Sequence, residues 1–180
     1  MRTSARPITF PYDPSKAQQV ALWLLCRHGG SMDKLKLAKM VFLADRQHLV
    51  HYGRPIVGGH YFTMKRGPVS SEFKDYIDGE MTGVELPFAL SGQFNLVATQ
   101  PVDENWLSPS DREILDTVYY KYKDLSPVQL ADITHQFKAY KKNIPPKSSC
   151  CSIPYEDFFE DTDSKDMLAL VLEEQEIRDL

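Results

Sequence analysis

The strongest constraint on the fold is a helix-forming stretch over residues 32–52 that is apolar on almost every side through its middle: Leu35, Leu37, Ala38, Met40 to Ala44, Leu49 and Val50. A helix of that kind is stable in water only when other elements surround it. The rest of the chain must therefore wrap around this one, and 180 residues suffice to do so in a single core. Ser31 is placed to cap its start. Its end is fixed by Gly53-Arg54-Pro55, because Gly suits the left-handed position after a helix and Pro turns the preceding residue away from helical angles. The longest uninterrupted apolar run, Met40 to Ala44, is far short of the ~20 residues a membrane span needs, so a soluble chain is expected.

The flanking segments read as partners for that helix. Asp13-Pro14 starts a first helix with Ala17, Val20, Ala21, Leu24 and Leu25 on one face, ending at Gly29-Gly30. After the central helix, Ile56-Val57 and Tyr61-Phe62-Thr63 flank Gly58-Gly59, which suits a tight hairpin turn. A second hairpin alternates through Leu86, Phe88 and Leu90, turns at Ser91-Gly92, and alternates back through Phe94, Leu96 and Ala98. The two hairpins together predict one small antiparallel sheet. Between them Ser70-Ser71-Glu72 opens a short helix with Val69, Phe73 and Ile77 on one face, stopped at Gly79. Ser108-Pro109-Ser110-Asp111 starts one helix, and Ser126-Pro127-Val128-Gln129, of capping-box form, starts another. Residues 138–154, with Pro145-Pro146, read as a surface loop, and a last helix is expected from about Ser164. The expected fold class is α+β: a mainly helical single domain with a small antiparallel β-sheet.

The net charge of −4 argues against nucleic acid and an anionic membrane as partners. It is unevenly distributed. Residues 155–180 hold ten acidic and two basic side chains, a net −8, which leaves +4 on residues 1–154. The first residues, Met1 to Pro7, have no apolar segment behind their arginines, so a cytoplasmic location is expected. Three cysteines, Cys26, Cys150 and Cys151, lack Cys-x-x-Cys spacing, which suggests neither a disulfide framework nor a zinc knuckle.

Catalytic constellations are scarce. Asp45, His48 and His51, with His60 nearby, are the nearest approach to a metal site. Steps of three residues spread those side chains through about 120° around a helix, whereas zinc-binding helices place histidines four apart. Cys26 lies beside an apolar stripe, where cysteine is usually packing, and Cys150-Cys151 has no helix N-terminus to activate it. Ser70 and Ser71 lack the Gly-x-Ser-x-Gly elbow, and no phosphate-binding glycine loop is present. Residues 126–140, followed by Lys138, Lys141 and Lys142, resemble a helix-turn-helix only loosely, because the usual turn glycine is missing. The expectation is a protein that is not an enzyme and needs no cofactor or metal.

The stretch from Leu35 to Ile56, including Ala44-Asp45, His48-Leu49 and Tyr52-Gly53-Arg54-Pro55-Ile56, followed by Tyr61-Phe62-Thr63 and Gly67-Pro68-Val69-Ser70-Ser71-Glu72, closely resembles the Panacea (SocA-like) antitoxin domain. Leu107-Ser108 with Asp111 and Leu115, Asp124-Leu125-Ser126, Ile133-Thr134-His135 and Ile153-Pro154-Tyr155 continue the likeness, which covers roughly residues 13–160. Residues 1–12 then form an N-terminal extension, and 161–180 an acidic helix packed on the domain or extending it. Where the family often carries acidic residues and a Pro-Trp pair, this chain has Gln136-Phe137-Lys138-Ala139-Tyr140, and Tyr140 takes the place of the packing aromatic.

The resemblance implies a cytoplasmic, bacterial or phage-borne antitoxin that neutralises a cognate toxin by protein contact, without chemistry of its own. Some relatives are similar to proteolytic adaptors, which adds an ATP-dependent protease as a possible second partner, and a DNA-binding autoregulator is a further alternative. Asp45, His48, Tyr52, Gly53, Arg54, Pro55, Gly67, Pro68, Val69, Glu72, Thr134 and His135 are expected to maintain the fold. An Asp45–Arg54 pair is expected among them, with Tyr52 and Glu72 as further partners. Two surfaces are candidates for toxin contact: the first hairpin, with Tyr61, Lys65 and Arg66, and the acidic helix, with Asp166, Glu173, Glu174 and Glu176.

Overall fold

The computed structural model describes residues 6–81, 83, 85–144 and 150–178. The central helix is α2 (Lys34–Tyr52), with α1 (Pro14–Arg27), α4 (Pro109–Tyr122), α5 (Pro127–Thr134) and α7 (Lys165–Arg178) packed against it. From Leu37 to Asp45 every residue of α2 is buried, as the unbroken apolar pattern requires. Two short helices, α3 (Ser71–Asp78) and α6 (Lys138–Lys141), and 3-10 turns at Glu104–Trp106 and Tyr155–Phe159 complete the helical part.

Strands form two separate three-stranded antiparallel sheets rather than the one expected. Their orders are β1 (Ser31–Asp33), β5 (Asn95–Ala98), β4 (Phe88–Ser91), and β3 (Gly67–Ser70), β2 (Tyr61–Met64), β6 (Cys151–Ile153). The architecture is α+β and mainly helical, as the patterning predicts.

Several local readings are corrected. Ser31 does not cap α2. It pairs with Val97 in β1, and Asp33 caps the helix by accepting from the N–H groups of Leu35 and Lys36. Gly58-Gly59 is not a hairpin turn. The hairpin joins β2 to β3 through Lys65-Arg66, with Tyr61 opposite Ser70 and Met64 opposite Gly67, while Ile56 to Gly59 form a buried loop. The expected loop at 138–154 holds α6 and strand β6, which extends β2 with Tyr61 opposite Ile153. Its stretch 145–149, like residues 1–5, lies outside the described residues. The second hairpin, both proline-led helix starts and the last helix stand where the sequence places them.

Residues 8–13 run as an extended segment over the 56–59 loop. Ile8 is buried, the Gly59 N–H donates to the Phe10 carbonyl (3.1 Å), and the Asp13 N–H donates to the Val57 carbonyl (2.9 Å). On the far side this segment meets α7, where Arg178 lies over the Phe10 ring (5.7 Å).

Candidate functional site

The residues that carry the sequence pattern after α2 converge on two buried carboxylates. Asp45, fully buried on α2, accepts from three consecutive backbone N–H groups, those of Ile56, Val57 and Gly58, each at 2.9 Å, and from the Tyr61 hydroxyl at 2.9 Å. Burial pushes its carboxyl above the usual range, and these four donors pull the other way. The loop after Pro55 is thus wound around one side chain, and Gly58, at a left-handed φ of 75°, lets the Pro11 carbonyl lie where a Cβ would clash with it.

Asp111, also fully buried, sits at the start of α4. One oxygen accepts from Lys16 (2.7 Å) and the Ser108 N–H (2.9 Å), and the other from Arg54 (3.0 Å). His48 Nδ1 donates to the Arg54 carbonyl (2.7 Å), while its Nε2 faces the Ser110 hydroxyl (3.0 Å) and Asp111 (3.2 Å). Burial alone would raise the Asp111 carboxyl. The bonds from His48, Lys16 and Ser108 outweigh it and hold the group well below the ordinary carboxylate range.

The expected Asp45–Arg54 pair therefore does not form. Arg54 belongs to Asp111, Tyr52 donates to Glu113 (2.8 Å), and Glu72 accepts from the His60 backbone (2.9 Å) and side chain (2.5 Å). Lys16 and Arg54 line an open depression with Phe10, Pro11 and Pro55, and their positive charges face Asp111 beneath.

A third cluster ties β3 to α5. Gly67, at φ 96°, lets the strand approach so closely that a Cβ there would lie 2.6 Å from the Thr134 hydroxyl and 3.2 Å from Lys39 Nζ. Lys39, on α2 and almost fully buried, donates to the Pro68 carbonyl (2.6 Å), and burial pushes its ammonium down to about 7. His135 packs on Tyr140 with ring centroids 4.4 Å apart. Val69 is buried in the same strand.

Most of the pattern residues lie inside the domain, while Tyr52 is exposed and Arg54, Glu72 and His135 are half-buried. Asp45, His48, Pro55, Gly67, Pro68, Val69 and Thr134 are buried, and Gly53 packs under Met167 and Val171 of α7. Tyr61, expected on a contact surface, is 1% exposed and bonded to Asp45, which removes it as a direct contact; it is large enough to fill the core while its hydroxyl satisfies a carboxylate. Lys65 and Arg66 are exposed at the β2–β3 turn. Among the described residues no His, Cys, Asp and Glu side chains form a group able to hold a metal ion. His51 bonds back to the Gln47 carbonyl (2.8 Å).

Two hub residues escaped the sequence reading. Asp111 stood in it as part of a helix start and of the family likeness, with no role assigned, although Ser-x-x-Asp at a helix start already places a carboxylate where cations can gather. Lys39 was the signal most open to reading, as a lone cation inside an otherwise apolar helix segment.

Outside the core, α7 presents two faces. Val171 is buried, with Met167, Leu168 and Leu172 partly so, against α2 and the 155–159 turn. Leu170 and Ile177, seven residues apart, are more than half exposed, with Glu173 and Glu174 between them on the same helical face and Asp166 and Glu176 also exposed. The acids upstream are internally engaged: Glu156 accepts from the Ile8 N–H (3.0 Å), Asp157 and Glu160 from Lys142 (2.6 and 2.9 Å), and Asp161 from the Lys138 N–H (2.6 Å). No helix among the described residues is long and apolar enough to cross a membrane.

The family model described as antitoxin SocA-like, Panacea domain, matches residues 37–141, which span α2 to α6 and hold both carboxylate hubs. No curated protein and no solved structure matches the chain.

Proposed function

The chain belongs to the SocA-like Panacea antitoxin family, and on that premise we propose that it is the antitoxin of a toxin–antitoxin pair, neutralising its cognate toxin by direct protein contact and without chemistry of its own. The observation that carries the binding surface is the outer face of α7. It offers two exposed apolar anchors, Leu170 and Ile177, separated by Glu173 and Glu174, on a helix whose opposite face is anchored to the domain. An acidic helix face with spaced apolar residues suits a basic groove with two apolar pockets, the helix-in-groove mode of recognition. Lys65 and Arg66, at the β2–β3 turn, are a smaller secondary contact. The pattern residues inside the core supply the shared scaffold, and partner choice resides on the outside.

The test is co-expression with the protein encoded beside it. Growth should be restored by the wild type and lost with the double variant Glu173→Lys, Glu174→Lys, whose unfolding free energy should stay within about 0.5 kcal/mol of wild type because both sites are exposed. Full rescue by the double variant would remove α7 as the contact, and absence of rescue by the wild type would remove the pairing itself. Toxin abundance in the rescued cells separates two mechanisms: unchanged levels mean sequestration, while levels that fall only when an ATP-dependent protease is present mean delivery for degradation.

A further inference from the structure

The outer end of the hairpin β4–β5 is exposed, and neither the motif residues nor the proposed contact on α7 include it. Residues 89–95 are all exposed, and residues 86–102 form a stretch of seventeen without one Asp, Glu, Lys, Arg or His, in a chain that is 26% charged. Sheet order places β5 in the middle and β4 at the edge. Natural edge strands are usually blunted by a charged side chain or a bulge, and β4, Phe88-Ala89-Leu90-Ser91, carries neither.

The apolar face of this sheet outruns the core beneath it. Residues paired across an antiparallel ladder share a face, so Leu90 lies on the side of its partner Leu96, as Met32 does on the other flank. Met32, Leu96 and Phe88 are buried there, yet Leu90 is 57% exposed and Phe94, in the turn, 52%. The alternation that makes the hairpin legible in sequence thus leaves its outer apolar positions uncovered.

The backbone says what fits the edge. The Thr99 N–H donates to the Pro87 carbonyl, so with the β4–β5 register the odd-numbered residues of β4 turn their backbone groups toward β5. The same alternation holds on β5, where the Ala98 N–H and the Phe94 carbonyl bond toward β1, to Gly30 and Lys34. Phe88 and Leu90 therefore aim both N–H and C=O outward.

We propose that two copies of this chain pair through the free edge of β4, antiparallel about a two-fold axis at Ala89, joining their three-stranded sheets into one of six strands. In that register Phe88 of each copy faces Leu90 of the other as a hydrogen-bonded pair, so all four outward groups per copy are satisfied, and the two Ala89 residues meet as the non-hydrogen-bonded pair between them. A symmetric contact sets residues near their own images, which repels wherever a charge lies close to the axis. The uncharged stretch is where two identical chains approach without that penalty. Only the four-residue edge, Phe88–Ser91, enters the contact, far below the about 800 Å² per copy of a standard interface, so the dimer is weak and concentration-dependent.

The experiment is sedimentation velocity of the purified full chain over a dilution series, with Leu90→Lys and Leu90→Pro alongside the wild type. Leu90→Lys sets two like charges near the axis; Leu90→Pro removes an outward N–H that no strand among the described residues uses. The wild type should move from monomer toward dimer with concentration, and each variant should raise the dissociation constant about tenfold or more while keeping the wild-type far-UV circular dichroism. Should Leu90→Pro unfold, Leu90→Lys decides alone, since its side chain is exposed. A wild type that stays monomeric at the highest concentration overturns the proposal, and so does a dimer that Leu90→Lys leaves unchanged.

Discussion

Replacing Asp111 with Asn tests whether one buried carboxylate joins α1, α2, α4 and the loop after α2. The carboxylate is fully buried and accepts from Lys16, Arg54 and the Ser108 N–H, with His48 Nε2 3.2 Å away. An amide keeps the shape and one acceptor, but it turns an NH₂ toward one of two cations. Removing one partner of a buried ionic cluster costs about 3 to 5 kcal/mol; here Lys16 and Arg54 are partly exposed and can turn to water, which lowers the expected loss to about 2 to 4 kcal/mol at pH 7. The pH dependence has a definite sign. The Asp111 carboxyl lies below its unfolded value, so its contribution is complete above about pH 4 and declines as the unfolded chain takes up the proton on acidification. The variant lacks that titration. Urea unfolding followed by circular dichroism should therefore show the gap between wild type and Asp111→Asn narrowing below about pH 4. A variant within about 1 kcal/mol of wild type at pH 7, or a gap that widens on acidification, would refute the assignment.

Asp45 gives the opposite sign. Burial raises its carboxyl, so the native state is favoured by the neutral form, and the cost of Asp45→Asn, measured in the same urea series, should grow as the pH falls from 7 toward 4. Asp45→Ala should cost about 3 to 5 kcal/mol, more than Asn, because it strands the N–H groups of Ile56, Val57 and Gly58 in the core. Lys39→Met should stabilise: an ammonium pushed down to about 7 against an ordinary value of 10.5 penalises the native state fully below pH 7 and progressively less above it. After the loss of the bond to the Pro68 carbonyl, a gain of about 2 to 4 kcal/mol at pH 6 is expected, shrinking toward pH 10, and thermal melts across that range check it.

The elements written in local chemistry were legible. Proline at the first turn and Ser-x-x-Asp or Ser-x-x-Gln fix a helix start whatever the surroundings, and α4 and α5 begin where those signals say. The hairpin β4–β5 was equally plain, since two alternating runs around Ser-Gly need no distant partner. What failed was decided at long range. Gly58-Gly59 has the form of a tight turn, but a carboxylate on α2 captures the three N–H groups that a hairpin would have used elsewhere. Strand β6 lies in a segment with no periodicity because only three of its residues pair, with a strand some ninety positions away. The site divides in the same way. That most of the pattern residues would lie inside the domain could be read from their kinds, glycine, proline and single polar groups near an apolar helix. Which carboxylate each cation takes could not, because Arg54 bonds Asp111, fifty-seven residues on, rather than the Asp45 that stands near it in sequence.

The acidic end also changes meaning once its partners are visible. A partner does not meet the −8 of residues 155–180, since Glu156, Asp157, Glu160 and Asp161 are bonded within the domain and secure the 3-10 turn, α6 and the N-terminal segment. Apart from those bonded acids, the exposed acids among the described residues of this segment are Asp163, Asp166, Glu173, Glu174 and Glu176, five against Lys165 and Arg178, a net of −3. Long-range steering by so few exposed charges is screened within about 8 Å at physiological salt. If α7 is the contact proposed above, association should depend only mildly on ionic strength, with specificity set by how Leu170 and Ile177 fit the partner around Glu173 and Glu174. The acidic composition that first marks this segment thus reports two separate jobs: the first part holds the scaffold closed, and the second offers a short, shaped face rather than a diffuse negative cloud.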